Sequence, residues 1–209
     1  METMKYITIP VSPLETNCYL VFDEGSKDCL IIDPGAEPEK ITKAIAKESL
    51  KPLAVINTHG HFDHAGANKE IKEKYDIPLL LHSEDVLMLK MVKHAASLYC
   101  LDAEDSPPPD RLIQDGEDIE YNNLVFRVIH TPGHSPGGIC LLQNNLLFSG
   151  DTLFHRGVGR TDIPGGSWNI LLNSIRTKIL TLPEETLVLP GHGPPTQVGQ
   201  EKRLNPFIQ

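Results

Sequence analysis

Thr58-His59-Gly60-His61-Phe62-Asp63-His64 holds four potential metal ligands within six positions, directly after the apolar run Leu53-Ala54-Val55-Ile56. That run predicts a buried strand over Pro52–Asn57, so the histidines begin where a strand ends and a loop starts. Side chains alternate along extended chain, so His59 and His61 can face one ion. Asp63 and His64 follow as the chain turns and can reach a second. Gly60 is expected to leave room between the first two rings and Gly66 to loosen the exit. Imidazole and carboxylate together suit zinc, iron or manganese. A polar loop of solvated histidines would not concentrate ligands so densely at a strand end.

One such cluster cannot fill two coordination spheres, so further ligands are expected at other strand ends. His134 stands in Thr131-Pro132-Gly133-His134-Ser135-Pro136-Gly137-Gly138, between two strand-like runs. Asp151 follows Leu146–Ser149, and His192 follows Leu187–Leu189 within Pro190-Gly191-His192-Gly193. Each alone reads as a turn residue. Together, flanked by small residues that let ligands crowd an ion, they complete a constellation.

Outward from these motifs, Lys5–Val11, Thr16–Phe22 and Cys29–Asp33 read as strands and Pro38–Glu48 as an amphipathic helix. A helix at Ala67–Tyr75 and a strand at Pro78–His82 follow. Ser83 reads as the N-cap of one long helix over Glu84–Leu98. Tyr99–Pro109, with three prolines and three acids, reads as an exposed loop that either caps the site or is inert. Strands are expected at Leu124–Ile129, Ile139–Gln143 and Leu146–Ser149, the last two joined by a tight turn at Asn144-Asn145. A helix at Ser167–Ile179 and a strand at Thr186–Leu189 precede a tail. Strands followed by mixed strand and helix, twice over, predict an α/β fold: two packed mixed sheets flanked by helices, a four-layer αββα sandwich.

The 209 residues suffice for one domain with a sizeable core, expected over residues 1–209. A net charge of −9 argues against nucleic acid or an anionic membrane as partner. The start of the chain is not a secretory signal, which needs roughly 7–15 uninterrupted apolar residues. No stretch approaches the ~18 apolar residues of a membrane span. Cys18, Cys29, Cys100 and Cys140 form no CxxC pair and read as buried reduced thiols, placing the chain in the cytoplasm. The oligomeric state is not legible.

The His-x-His-x-Asp-His run followed by distant His, Asp and His resembles the metallo-β-lactamase superfamily. The likeness extends through Asn17-Cys18-Tyr19-Leu20 and Ile32-Asp33-Pro34-Gly35. Gly150-Asp151-Thr152-Leu153-Phe154 and Gly159-Arg160-Thr161-Asp162 are similar to the short, single-domain members of the glyoxalase II-like branch. The resemblance implies two divalent ions, zinc first and iron or manganese next. It assigns His59, His61 and His134 to one site, Asp63, His64 and His192 to the other, and Asp151 to both. It further implies hydrolysis of a hydroxyacyl-glutathione-type thioester by a metal-bridging hydroxide, with Asp63 orienting that nucleophile or accepting its proton. Alternatives on the same fold are a mononuclear-iron persulfide dioxygenase and a lactonase or β-lactamase. Flavodiiron proteins differ by a Glu at the place of His61 and by a flavin domain. The larger glyoxalase II enzymes carry a C-terminal helical domain that contacts glutathione, for which the seventeen residues after His192 leave no room.

Arg160 either meets a substrate carboxylate or, the favoured alternative, pairs internally with Asp162. His155 reads as a neighbour of the ligands or a surface group. His82 and His94 read as structural, and His130 as the end of its strand.

Overall fold

Every residue of the run Thr16–Asp23 is buried, the mark of a strand covered on both faces. In the computed structural model, which describes residues 4–11 and 13–208, this strand lies inside a mixed sheet. That sheet runs β1 (Met4–Val11), β2 (Thr16–Asp23), β3 (Asp28–Ile32), β4 (Lys51–Ile56), β5 (Leu79–His82) and β6 (Arg111–Ile113). The first three strands pair antiparallel and the rest parallel.

A second mixed sheet is formed by β7 (Asp118–Tyr121), β8 (Leu124–His130), β9 (Ile139–Gln143) and β10 (Leu146–Gly150). A small ribbon, β11 (Leu153–Phe154) with β12 (Gly157–Val158), follows, and β13 (Leu187–Pro190) and β14 (Thr196–Gln197) complete the sheet beside β10. The Asn144-Asn145 turn joins Gln143 to Leu146 as a two-residue hairpin, with Asn144 at φ 53°.

Strand alternation sorts the apolar residues into three interfaces. Cys18, Leu20, Phe22, Cys29 and Ile31 face helices α1 (Pro38–Glu48), α3 (Asn68–Tyr75), α4 (Val86–Leu89) and α5 (Val92–Leu98), with α2 (Phe62–Ala65) between α1 and α3 in the chain. Tyr19, Val21, Leu30 and Ile32 face the other way and meet Phe126, Leu141, Phe148 and Leu189 of the second sheet. The far side of that sheet, through Cys140, Leu147 and Val188, packs on α6 (Trp168–Ser174) and α7 (Val198–Leu204). Helix, sheet, sheet, helix is the αββα sandwich expected.

Several local expectations fail for physical reasons. Glu84–Leu98 is not one helix. Ser83–Asp85 is a 3-10 turn, and α4 closes with a tight Met91 N–H to Met88 carbonyl bond before α5 starts again. Leu89, Val92 and Ala96 stay buried at helical spacing across the break, which hides it from periodicity. Ser83 is no N-cap; the His82 ring accepts the Glu84 N–H instead. The supposed tail contains α7, whose buried Glu201 accepts from Thr196, Arg156 N–H and Asn205. Three cysteines are buried and free, whereas Cys100 is exposed. Residues 1–3, 12 and 209 of the expected domain, the first of them at the start of the chain read for a leader, lie outside the described residues.

Candidate metal centre

The ends of β4, β10 and β13 and the turn between β8 and β9 meet at one edge of the sandwich. The two sheets are stitched there: Ile139 N–H donates to the Thr58 carbonyl at 2.9 Å, and Asn17 N–H to the Gly191 carbonyl at 2.7 Å. His59 and His61 stand past the end of β4, while Asp63 and His64 occupy the first turn of α2, capped by His61.

Three overlapping triads form: His59, His61 and His134; His59, His64 and Asp151; Asp63, His64 and His192. Within each, the ligand-type atoms lie within 4.8 Å of one another. His61 Nδ1 is 2.9 Å from His134 Nε2, and His64 Nε2 is 3.3 Å from His192 Nε2. Ligands of a tetrahedral ion at ~2.1 Å sit about 3.4 Å apart, so these spacings suit a shared cation. Asp151 lies between the groups. Its Oδ1 is 3.3 Å from His64 Nε2, and its Oδ2 is 3.5 Å from His134 Nε2 and 3.6 Å from His192 Nε2.

Four of the five rings are held from behind, so that a lone pair can point inward. His64 Nδ1–H donates to Asp33 at 2.9 Å. His134 Nδ1–H donates to the Arg160 carbonyl at 2.8 Å, and His192 Nδ1–H to the Leu14 carbonyl at 3.1 Å. Thr58 gives its own hydroxyl hydrogen to Asp33 at 2.6 Å and accepts from His59 Nδ1–H at 3.1 Å. Two buried acids provide this scaffold, and ligand-spacing arguments miss both. Asp33 also accepts the Thr58 N–H at 2.7 Å and holds φ 52°, a left-handed conformation that aspartate tolerates. Asp85 accepts from Gly60 N–H, Ser135 hydroxyl and Gly137 N–H at 2.9, 2.7 and 2.6 Å, tying the first histidine loop to the His134 loop. Asp33 enters the sequence reading only within the Ile32-Asp33-Pro34-Gly35 resemblance, and Asp85 does not enter it.

Burial and the facing His64, His61 and His134 hold His59 well below the usual imidazole range. Burial and His134 bring His61 down to about 4. For Asp151, burial pushes upward, but His64 and the other rings outweigh it and hold the carboxylate well below its usual value. For His64, burial is outweighed by Asp151, Asp63 and Asp33, and its ring is held well above. Neutral imidazoles and ionised carboxylates are the forms that ligate, and a cation would take over the charge that the His64 proton balances. Among the described residues four buried side-chain atoms lack a hydrogen-bond partner, and two of the four, His59 Nε2 and Asp151 Oδ1, belong to the ligand groups. Buried polar atoms are rarely left so. The donor set fits divalent metal ions.

Glycine matters here by absence. A Cβ on Gly191 would fall on Asp151 Oδ1 and within 2.7 Å of His64 Cε1. Gly191→Ala is therefore expected to weaken metal binding about 10- to 100-fold, read by chelator competition; unchanged affinity would show that the cradle yields. Contrary to the expectation from the sequence, Gly60 is not what leaves room between the two rings. Its missing side chain admits the Asp85 carbonyl, 2.8 Å from where a Cβ would stand. Nor does Gly66 loosen the chain: a Cβ there would meet the Gly35 carbonyl.

Asp63, His61, His134, Asp151 and His192 open into a cavity of about 890 Å³. Arg160 lines it too, and its guanidinium pairs bidentately with Asp162 at 2.8 and 2.9 Å, the internal pairing favoured from sequence. His155 is exposed. His94, read as structural, lies on the cavity wall. His82 stacks on His130, ring centroids 4.1 Å apart. Those two approach Glu84 in a further ligand-like group, but His130 Nε2 is committed to the Pro136 carbonyl at 2.8 Å. Of the Tyr99–Pro109 loop, Tyr99 reaches the cavity. Ser106 and Glu104 are pinned to α3 through Asn68 and Lys69 instead of closing over the site.

Comparison with known proteins agrees with this geometry. A sequence profile described as the metallo-beta-lactamase superfamily matches residues 11–192. The chain is 42% identical over 208 residues to a probable metallo-hydrolase, YqgX, of Bacillus subtilis, covering 98% of both chains. It is 38% identical over 204 residues to hydroxyacylglutathione hydrolase GloC of Haemophilus influenzae, covering 96% of each. Among solved structures it is similar to TTHA1623 in a di-iron-bound form, with a TM-score of 0.89 at 40% identity over 96% of this chain and 99% of that one.

Proposed function

The chain belongs to the metallo-β-lactamase superfamily, and within it we propose a metal-dependent thioester hydrolase acting on hydroxyacyl-glutathione-type substrates. One observation carries this reading: two ligand triads flank Asp151, and five of the seven proposed ligands open onto a cavity large enough for a small-molecule thioester. In this proposal His59, His61 and His134 would hold one cation and Asp63, His64 and His192 the other, with Asp151 placed beside both groups. Bound divalent cations lower the pKa of water from ~15.7 towards ~7 and polarise a carbonyl.

The chain's own groups supply the rest. Asp63, 3.2 Å from His192 and 3.5 Å from the Thr16 hydroxyl, is the carboxylate placed to orient or accept a proton from the attacking water. His64 is locked by Asp33, so its front nitrogen cannot rotate away. A thiolate leaves as a fairly stable anion, so no strong general acid is required. Amino-acid nucleophiles are not needed either. No G-x-S-x-G elbow occurs in the sequence, and burial pushes the core thiols Cys29 and Cys140 up to about 12 and about 11, far from nucleophilic at neutral pH.

GloC's resemblance over nearly the whole chain supports the thioesterase reading. Zinc is the proposed metal pair, with iron or manganese as substitutes in the same donors. The proposal covers one domain in the cytoplasm with a small-molecule substrate. Among the described residues no helix is long and apolar enough to cross a membrane. The test is hydrolysis of S-D-lactoylglutathione by protein of known metal content, beside His61→Ala. Metal-dependent turnover that disappears in the variant is expected. No turnover from chains carrying two metals each would reject this substrate, and a single iron per inactive chain would point to persulfide dioxygenation.

A further inference from the structure

Beside the proposed ligands, the cavity wall is largely apolar. Among the described residues, eleven large hydrophobic side chains are exposed. Five of them, Leu14, Leu87, Met91, Leu98 and Tyr99, line this one cavity. Leu87 and Leu98 are 75% and 71% exposed, which costs water contact with no compensation inside the fold. Such clustering of exposed apolar surface around a concave site marks a binding surface. Four of the five come from α4, α5 and the residues that join and end them, so the break at Met91 turns one helical face into a curved wall.

Charge points the same way. A glutathionyl group brings two carboxylates, yet the lining holds one guanidinium, Arg160, already paired with Asp162, and no lysine. We propose that this wall selects thioesters in which one half, acyl or thiol, is an uncharged apolar group, bound along Leu87, Met91, Leu98 and Tyr99 while the scissile carbonyl faces the ligand cluster. Met91 suits the task, because its unbranched thioether adapts to different apolar shapes. The inference rests on the thioester-hydrolase reading and narrows its substrate class.

The experiment is kcat/KM of the metal-loaded protein on two uncharged series. Acetyl, butyryl and hexanoyl thioesters of N-acetylcysteamine lengthen the acyl half, and acetyl thioesters of ethyl, butyl and hexyl thiols lengthen the other. In one series kcat/KM should rise roughly two- to fourfold per added methylene, passing S-D-lactoylglutathione. Leu98→Glu should cut the long-to-short ratio at least about tenfold, and Leu98→Met should restore it. Two flat series with turnover would overturn the inference and leave the hydrolase reading standing. Turnover of no thioester would defeat the thioester-hydrolase reading instead. Calorimetric titration with S-methyl and S-hexyl thioethers of N-acetylcysteamine then decides the wall: tighter binding of the hexyl compound upholds it, and equal binding overturns it. Flat series together with a wild-type dimer that Leu98→Glu splits would make the face a contact between copies, also overturning the proposal.

Discussion

Asp151→Ala is expected to abolish thioester hydrolysis, lowering kcat/KM by about a thousandfold or more, and to leave at most one metal ion per chain. The carboxylate stands between His64 on one side and His134 and His192 on the other, at 3.3 to 3.6 Å. It approaches a ring of each proposed site, His134 of one and His64 and His192 of the other. Removing it takes a negative charge from the middle of five imidazoles, and breaking a buried charge cluster typically costs 3–5 kcal/mol, or about two to four orders of magnitude in binding. Asp151→Asn keeps the volume and loses the charge, so it should share the defect. Metal content by atomic emission and steady-state kinetics provide the check. A variant that kept two ions and most of its activity would remove Asp151 from the ligand set.

Asp33→Ala is expected to be the most destabilising single change near the site, by about 3–5 kcal/mol. Three buried donors lose their acceptor together: Thr58 N–H, the Thr58 hydroxyl and His64 Nδ1–H. Alanine must also take the left-handed backbone that Asp33 holds at φ 52°, adding roughly 1–2 kcal/mol. Asp33→Asn tolerates that backbone and keeps an acceptor, so it should lose less. Urea unfolding of each variant, with and without chelator, separates the two effects. A loss below about 0.5 kcal/mol in chelator-treated Asp33→Ala would show that the three donors find water instead. Metal affinity should fall in both variants, since His64 loses the group that sets its tautomer.

Much of the site was legible because chemistry concentrated locally. Four candidate donors at the end of an apolar strand stand out through spacing alone, and His134, Asp151 and His192 each follow or interrupt a strand-like run. The order of elements, strands followed by mixed strand and helix twice over, likewise announced a layered sandwich. What spacing missed were groups whose role exists only between distant segments. Asp85 carries no local pattern and Asp33 only a place in a run of the resemblance; their carboxylates matter because packing brings Thr58, Gly60 and Ser135 to them. The roles of Gly60 and Gly66 were misread for the same reason, since the atoms they make room for belong to Asp85 and Gly35.

The short strands β6, β11, β12 and β14 left too few residues for periodicity to register, and the break between α4 and α5 hid beneath an unbroken helical spacing of buried residues. The sequence by itself determined the candidate donors, the strand ends that carry them and the net charge of −9 that disfavours polyanions. Only the tertiary structure decided which donors face one another, which acids brace them and that the neighbouring wall is apolar. Local order follows from alternation and helical pitch along a few residues, whereas those meetings depend on two sheets packing face to face across long stretches of chain.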